Sequence, residues 1–488
     1  MAGFPRPRRS HARRSSVSRA DQVLDQAQVA AREFRELDQA ATDRIVHAVY
    51  LRALDARVEL AKMAVDETGL GVWQDKVIKN LIATQLVYED IRRQRTVGVI
   101  SDESCGGIVE VARPMGPVLA FVPVTNPSST TIFKILIALK TRNPLIVSPP
   151  RAARRTCTAA AALCAEAAVA AGAPEHAIQW LAKPTPRAVD ELMRDPRLAV
   201  ILATGTSNLV QKALQTGRPV LGVGPGNVPV YIGGSADVHF AVHGIMESKL
   251  LDNGTVCASE QAVVVKGSML DPVLAEFAAH GAYLLTADEA AAVGRLAFDA
   301  ERGTMAAAVV GQPAARIAQE AGVSVPPGTR LLLARLDGVG PAYPLSAEIL
   351  APILGLYVED DFDAAIARCS EITRYGGTGH TAVIYSNNDE RIEYFSRVVD
   401  AGRILVNVPA TQGALGGMVT GLEPSFMLSC GPGGGNVTMD NITARHLLNI
   451  HRVARRQPNP RWHALPREAL LDPEVSGEDL ARLYRANF

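Results

Sequence analysis

The chain has 488 residues, with Lys plus Arg balanced against Asp plus Glu at 50 each, 48% apolar and 20% charged residues. That length exceeds one small core and suits two or three lobes. The balanced charge offers no field for nucleic acid, and no apolar window reaches the ~18 residues of a membrane helix.

The N-terminal residues 1–19 read as a basic, solvated tail carrying Arg6, Arg8, Arg9, Arg13 and Arg14, with a targeting or assembly tag as the alternative. It lacks the apolar core and cleavage site of a secretory signal. From Ala20 to Gly69 apolar residues recur at helical spacing (Val23, Leu24, Ala27, Ala31, Phe34), and a helix around Val58 to Thr68 stops at Gly69. Residues 98–124 read as extended, with a turn at Gly106-Gly107 and a strand over Val118–Val122. Strands and helices then alternate: helix Ser128–Lys140, strand 145–147, an Ala-rich helix over 155–171 ended by Gly172 and Pro174, strand 198–203, a helix after Thr204, and strand 219–223. A second alternating stretch includes strands at 262–265, 381–385 and 403–408. This rhythm predicts an α/β fold of two doubly wound, parallel-sheet lobes joined near residue 250.

Six cysteines (Cys105, Cys157, Cys164, Cys257, Cys369, Cys430) are scattered without a CxxC pair, and no histidine cluster has zinc spacing, so no metal site is expected. Free thiols in a reducing cytosol are the plain expectation. Cys257 follows a glycine turn and precedes an apolar strand, a setting that can present a thiolate to a cleft. A lone cysteine more often fills a core. Asn126, in Pro123-Val124-Thr125-Asn126-Pro127 at a strand end, can donate to an oxyanion or simply form a turn. Thr204-Gly205-Thr206-Ser207 lies between a strand and a helix, where backbone N–H groups favour anions. Gly222–Asn227, Gly376–Thr381 and Gly431–Asn436 are glycine-rich loops, suited to close approach of a ligand or to flexibility alone. Arg151, Arg154 and Arg155 suit a cofactor phosphate or a solvated helix start.

Taken in order, the stretches TNPSSTTIFKILIALKTRNPLIVSP, ILATG, GVGPGNVPVYI, DNGTVCASEQAVVV, GGTGHTAVIYSN and RILVNVPATQG resemble the aldehyde dehydrogenase superfamily, in its CoA-acylating branch. This branch includes the aldehyde half of bifunctional alcohol/aldehyde enzymes and the microcompartment aldehyde dehydrogenases. The resemblance runs from about residue 20 to 455. It implies the family fold with a β-arm for oligomerisation: a cofactor domain over 20–250 with an arm at 98–116, a catalytic domain over 251–435, and an oligomerisation segment and tail over 436–488. It implies Cys257 as nucleophile, Asn126 with the Cys257 backbone N–H as oxyanion donors, and His380 in handling CoA or its proton. Glu348 matches the glutamate that holds the nicotinamide ribose, and Thr204, Gly205, Thr206 and Ser207 the loop near the pyrophosphate. Thr125, Ser148 and Gly224 complete the cofactor set. The implied cofactor is NAD, with NADP as the alternative, and coenzyme A is the co-substrate.

Where hydrolytic relatives carry a glutamate, this chain has Val223, which accepts no proton, so a Cys257 thioester is expected to wait for the CoA thiol rather than water. The implied reaction is aldehyde + CoA + NAD⁺ to acyl-CoA + NADH, on acetaldehyde or another short aldehyde. The Gly431–Asn436 and Gly416–Gly421 stretches depart from the branch, which leaves sulfoacetaldehyde or another small polar aldehyde open. A phosphate-using semialdehyde dehydrogenase and a catalytically silent scaffold are the rivals. The expected assembly is a cytoplasmic homodimer or higher homo-oligomer, open to packaging in a bacterial microcompartment or filament. The tail after Arg456 lacks an iron-dependent alcohol dehydrogenase half, so a stand-alone enzyme is expected.

Overall fold

The computed structural model describes residues 19–103 and 107–486. The basic tail, Arg19 apart, and Cys105 lie outside them. The chain divides into two compact units, one of residues 1–94 and 114–448, the other of residues 95–113 and 449–488.

The larger unit holds two parallel sheets. The first has five strands in the order Ile178–Trp180, Leu145–Ser148, Val118–Phe121, Val200–Ala203, Val220–Gly222. Chain order runs outward from Val118–Phe121 one way and then reverses to Val200–Ala203, which makes a topological switch point between these two strands. In open α/β sheets the crevice beyond the carboxyl ends at such a point is where ligands bind. The three inner strands are apolar and buried along their whole length, as expected of strands covered on both faces.

The second sheet has seven strands, in the order Ala282–Leu285, Leu331–Arg335, Ile353–Glu359, Glu260–Lys266, Val228–Ile232, Thr381–Tyr385, Arg403–Val406, again with parallel pairing throughout. The change of sheet therefore falls at residues 223–227, ahead of the expected point near 250. Val228–Ile232 reads as a continuation of the preceding glycine turn, yet it pairs on both sides inside the second sheet.

Helices cover both sheets. The N-terminal region forms three of them, Arg19–Arg35, Gln39–Asp55 and Arg57–Thr68, the last ended by Gly69 in the left-handed conformation at φ 68°. Helix Pro127–Lys140 is buried on every side, because it packs beneath other helices as well as on the first sheet. Its residue Lys134 donates from Nζ to the Phe121 carbonyl, to Leu202 O at 3.1 Å and to Thr204 Oγ1 at 3.0 Å. One amine thus ties together the carboxyl ends of the two strands flanking the switch point. Burial holds the Lys134 pKa well below the ordinary lysine value.

The smaller unit centres on a three-stranded sheet in the order Gly98–Glu103, Ile108–Pro114, Leu448–Ala454, with the first two antiparallel. No helix among the described residues is long and apolar enough to cross a membrane.

Candidate active site

The expected site residues sit on loops at the carboxyl ends of the first sheet and the amino ends of the second. Cys257 lies between the turn Leu251–Gly254 and strand Glu260–Lys266, and Asn126 between strand Val118–Phe121 and helix Pro127–Lys140. Glu348 precedes strand Ile353–Glu359, and His380 precedes strand Thr381–Tyr385.

Exposure separates the thiols. Among the described cysteines, Cys157, Cys164, Cys369 and Cys430 are buried, whereas Cys257 is half-buried. Acidity does not separate them: burial pushes Cys157, Cys164 and Cys257 alike up to about 12. For Cys257 the nearby Glu348 and Cys430 add to that rise, and Arg403 opposes it. The Arg403 guanidinium is itself buried and held by Thr381 Oγ1, Met439 O, Asn441 Oδ1 and Ser429 O.

Asn126 opens its helix without capping it. Its amide is oriented instead from two sides. Oδ1 accepts from Lys79 Nζ at 2.8 Å, and Nδ2 donates to Thr125 Oγ1 and to Thr255 O, both at 3.2 Å. Lys79 Nζ also reaches Asp252 Oδ2 at 2.6 Å and Thr255 Oγ1 at 2.9 Å. Asp252 pairs in addition with Lys76 at 2.8 Å and accepts from the Val72 N–H at 2.7 Å. All three charged side chains are buried. Burial lowers the Lys79 pKa to about 8, with Asp252 working against the fall. Asp252 and Asn253 both adopt left-handed backbone at φ 53°, which L-residues with Cβ rarely accept outside such anchored turns. The helix Trp73–Leu81 therefore fixes both the oxyanion-type amide and the turn leading to Cys257. Sequence reasoning missed this network. Lysines three apart on a helix read as a solvated face, and Asp-Asn-Gly reads as a turn.

Gly226 is the pivot of the glycine turn. A Cβ there would lie 1.8 Å from the Cys257 carbonyl oxygen and 3.3 Å from His380 Cε1. Its N–H donates to Glu348 Oε1 at 2.9 Å, and the neighbouring Asn227 Nδ2 donates to Ser346 O and Ile372 O. The turn thus gathers Cys257, Glu348 and His380 around one backbone. Burial raises the Glu348 pKa to about 7, against the Gly226 N–H and Lys249, which lower it. His380 is fully buried. Its Nδ1 meets Thr381 Oγ1 at 3.0 Å, and its Nε2 has no hydrogen-bond partner among the described residues. Burial, followed by the Arg403 charge, holds its pKa well below the ordinary histidine value, so the imidazole is neutral. Gly377 and Gly379 are packing devices, since a Cβ on either would strike the backbone of Asn227 or Cys430, whereas one on Gly376 would meet open space.

The cofactor candidates fit a dinucleotide. Thr204 ends the strand beside the switch point, Gly205 and Thr206 are exposed there, and Thr206 caps the helix that begins at Ser207. Thr125 and Ser148 close the ends of adjacent strands, and Gly224 leads from the first sheet toward Gly226. Arg151, Arg154 and Arg155 are exposed, and the amino end of their helix is already satisfied by Glu67, whose carboxylate accepts from Arg155 N and Thr156 N at 2.7 Å. Val223 is buried in the core around the first sheet.

The profile of the aldehyde dehydrogenase family matches residues 9–443. The chain belongs to the aldehyde dehydrogenase family. This aldehyde dehydrogenase is 41% identical over 457 residues to the bifunctional aldehyde-alcohol dehydrogenase AdhE of Escherichia coli, covering 93% of this chain and 51% of that one. It thus spans about half the length of that relative. It is 38% identical to an acylating sulfoacetaldehyde dehydrogenase of Cupriavidus necator, covering 88% of each chain. The solved structure of an acetylating aldehyde dehydrogenase from Geobacillus thermoglucosidasius superposes with a TM-score of 0.87 at 40% identity, covering 90% of this chain and 97% of that one. The expected α/β fold with parallel sheets is the one observed.

Proposed function

We propose that this aldehyde dehydrogenase is CoA-acylating, converting a short aldehyde, CoA and NAD⁺ to acyl-CoA and NADH. What carries the reading is a partly exposed Cys257 together with a buried valine, Val223, at the sequence position where the family resemblance puts the hydrolytic glutamate. The Cys257 thiolate attacks the aldehyde carbon, and a C–S bond forms. The Asn126 amide, its Oδ1 held by Lys79, takes the oxyanion together with the Cys257 N–H once Nδ2 gives up one of its 3.2 Å bonds to Thr125 Oγ1 or Thr255 O; such donors contribute about 3 kcal/mol each. Thr204–Ser207 would hold a bound dinucleotide and Glu348 its ribose, and NAD⁺ there would supply the acceptor for the hydride that leaves the carbon bonded to Cys257 Sγ. Val223 leaves water unactivated, so the Cys257 thioester persists. The CoA sulfur then attacks the acyl carbon and the bond to Cys257 Sγ breaks, the CoA thiol proton ending on the leaving Cys257 sulfur, with Nε2 of neutral His380, unpartnered among the described residues, as a transient relay.

A short neutral aldehyde is favoured as substrate. The guanidinium whose charge reaches Cys257, that of Arg403, is buried and spends four of its five N–H donors on protein acceptors, which leaves little of it for an anionic substrate. The sheet of the smaller unit ends on strand Leu448–Ala454, whose side chains are largely exposed. An edge strand of this kind is a surface for pairing, and we assign it to a homo-oligomer.

The test is NADH formation from acetaldehyde with and without CoA, in wild type and Cys257→Ala. CoA-dependent turnover lost in the variant is expected. Equal turnover without CoA would mean that another group activates water.

A further inference from the structure

We propose that the face shared by helices Val238–Leu250 and Leu270–Ala279 is a binding site for one divalent transition-metal ion, zinc in the first instance. Two of the chain's ten histidines, His239 and His280, meet there around the Glu276 carboxylate, with His243 beside them. His239 Nδ1 lies 2.7 Å from Glu276 Oε1, and His280 Nδ1 lies 3.2 Å from the same oxygen. His280 Nδ1 also lies 3.0 Å from the Glu276 carbonyl oxygen. The ligand atoms of His239, Glu276 and His280 all fall within 4.8 Å of one another. Tetrahedral zinc, with ligands at about 2.0–2.1 Å, needs them roughly 3.3 Å apart, within reach of small side-chain rotations. His243 stands one helical turn beyond His239. Its ring centroid is 6.3 Å from that of His239 and 5.6 Å from that of His280, and its Nε2 now faces Glu247 Oε1 at 3.5 Å, which leaves it within reach as a third imidazole and fourth ligand.

The scaffold is rigid where it must be. His239 and His243 are four apart on one helix, and Glu276 and His280 four apart beginning on the other, so each pair shares a face. Both helices are anchored in one core, through Ala241, Val242 and Ile245 on the first and Val273 and Phe277 on the second. The ligands themselves are exposed or half-buried, which gives an ion a path in. Imidazole with one carboxylate selects zinc, copper, nickel or cobalt over magnesium or calcium. The sequence carries no zinc-spaced motif because the ligands come from two helices separated by a strand.

The experiment uses the full chain without a histidine tag, stripped with EDTA and with Cys257 alkylated so that its thiol does not compete. Zn²⁺ is titrated against a chromophoric chelator, and Co²⁺ spectra are recorded in parallel. The wild type is expected to take up one equivalent and to show visible four-coordinate cobalt bands. His239→Gln/His280→Gln is expected to bind roughly tenfold or more weakly and to lose those bands, with its circular dichroism unchanged. Glu276→Gln serves as the second variant, with the same expected loss. No stoichiometric uptake, or equal uptake by wild type and variants, would overturn the proposal.

Discussion

A thiol whose pKa sits near 12 is almost wholly protonated at neutral pH, and burial is the main reason for Cys257. Because the thiolate is the reactive form, alkylation of the cofactor-free enzyme by iodoacetamide should accelerate roughly tenfold per pH unit between 7 and 9. Mass spectrometry of the Cys257 peptide gives the rate, and a plateau near pH 8 would contradict the burial argument. Asn126 depends on Lys79 in the same local way. Lys79→Met leaves the amide without the partner that orients Oδ1, so kcat should fall roughly tenfold to a hundredfold with KM little changed. Combining it with Asn126→Ala should cost no more than Asn126→Ala alone, since both changes remove one interaction. Additive losses would mean that Lys79 acts elsewhere. Cys257, Asn126 and Glu348 could be named as candidates from the sequence because the family resemblance fixes their positions. Lys76, Lys79, Asp252 and Arg403 were not, because partners that hold them lie 26 to 180 residues away along the chain.

The glycine turn from Gly222 to Asn227 makes a sharper distinction at the level of one element. Gly226 has no room for a methyl group beside the Cys257 carbonyl, whereas a Cβ on Gly224 would meet Cys430 Sγ at 3.5 Å, an ordinary contact. Gly226→Ala should therefore abolish turnover and slow Cys257 alkylation while the far-ultraviolet circular dichroism stays near wild type. Gly224→Ala should fold and retain most of its activity in the same assays. Helices and inner strands were largely readable from periodicity: Thr381–Tyr385 matches its expected bounds, and helix Pro127–Lys140 begins one residue early because proline suits the first helical position. Strand Val228–Ile232 was hidden by the turn before it. The short strand Ile178–Trp180 is three residues long, too short for any alternation to show.

Across the whole molecule, the larger unit carries every residue of the candidate site, while the smaller one contributes the exposed strand Leu448–Ala454. If that strand pairs with a second copy, removing residues 449–488 should lower the mass seen by light scattering to that of a single chain. An unchanged mass would place the interface in the larger unit. Fold class was legible from the alternation of strands and helices, but sheet membership was not, since which strands pair is decided by contacts distant along the chain.

The ion pair joining Lys79 to Asp252 spans 173 residues. Contacts so distant along the chain close late, after the loop entropy between them has been overcome. During refolding, both sheets can form their ladders before the helix at 73–81 docks on the Asp252 turn. Recovery of catalysis should then lag behind recovery of helical signal, and the interval would time the last step by which this chain becomes an enzyme.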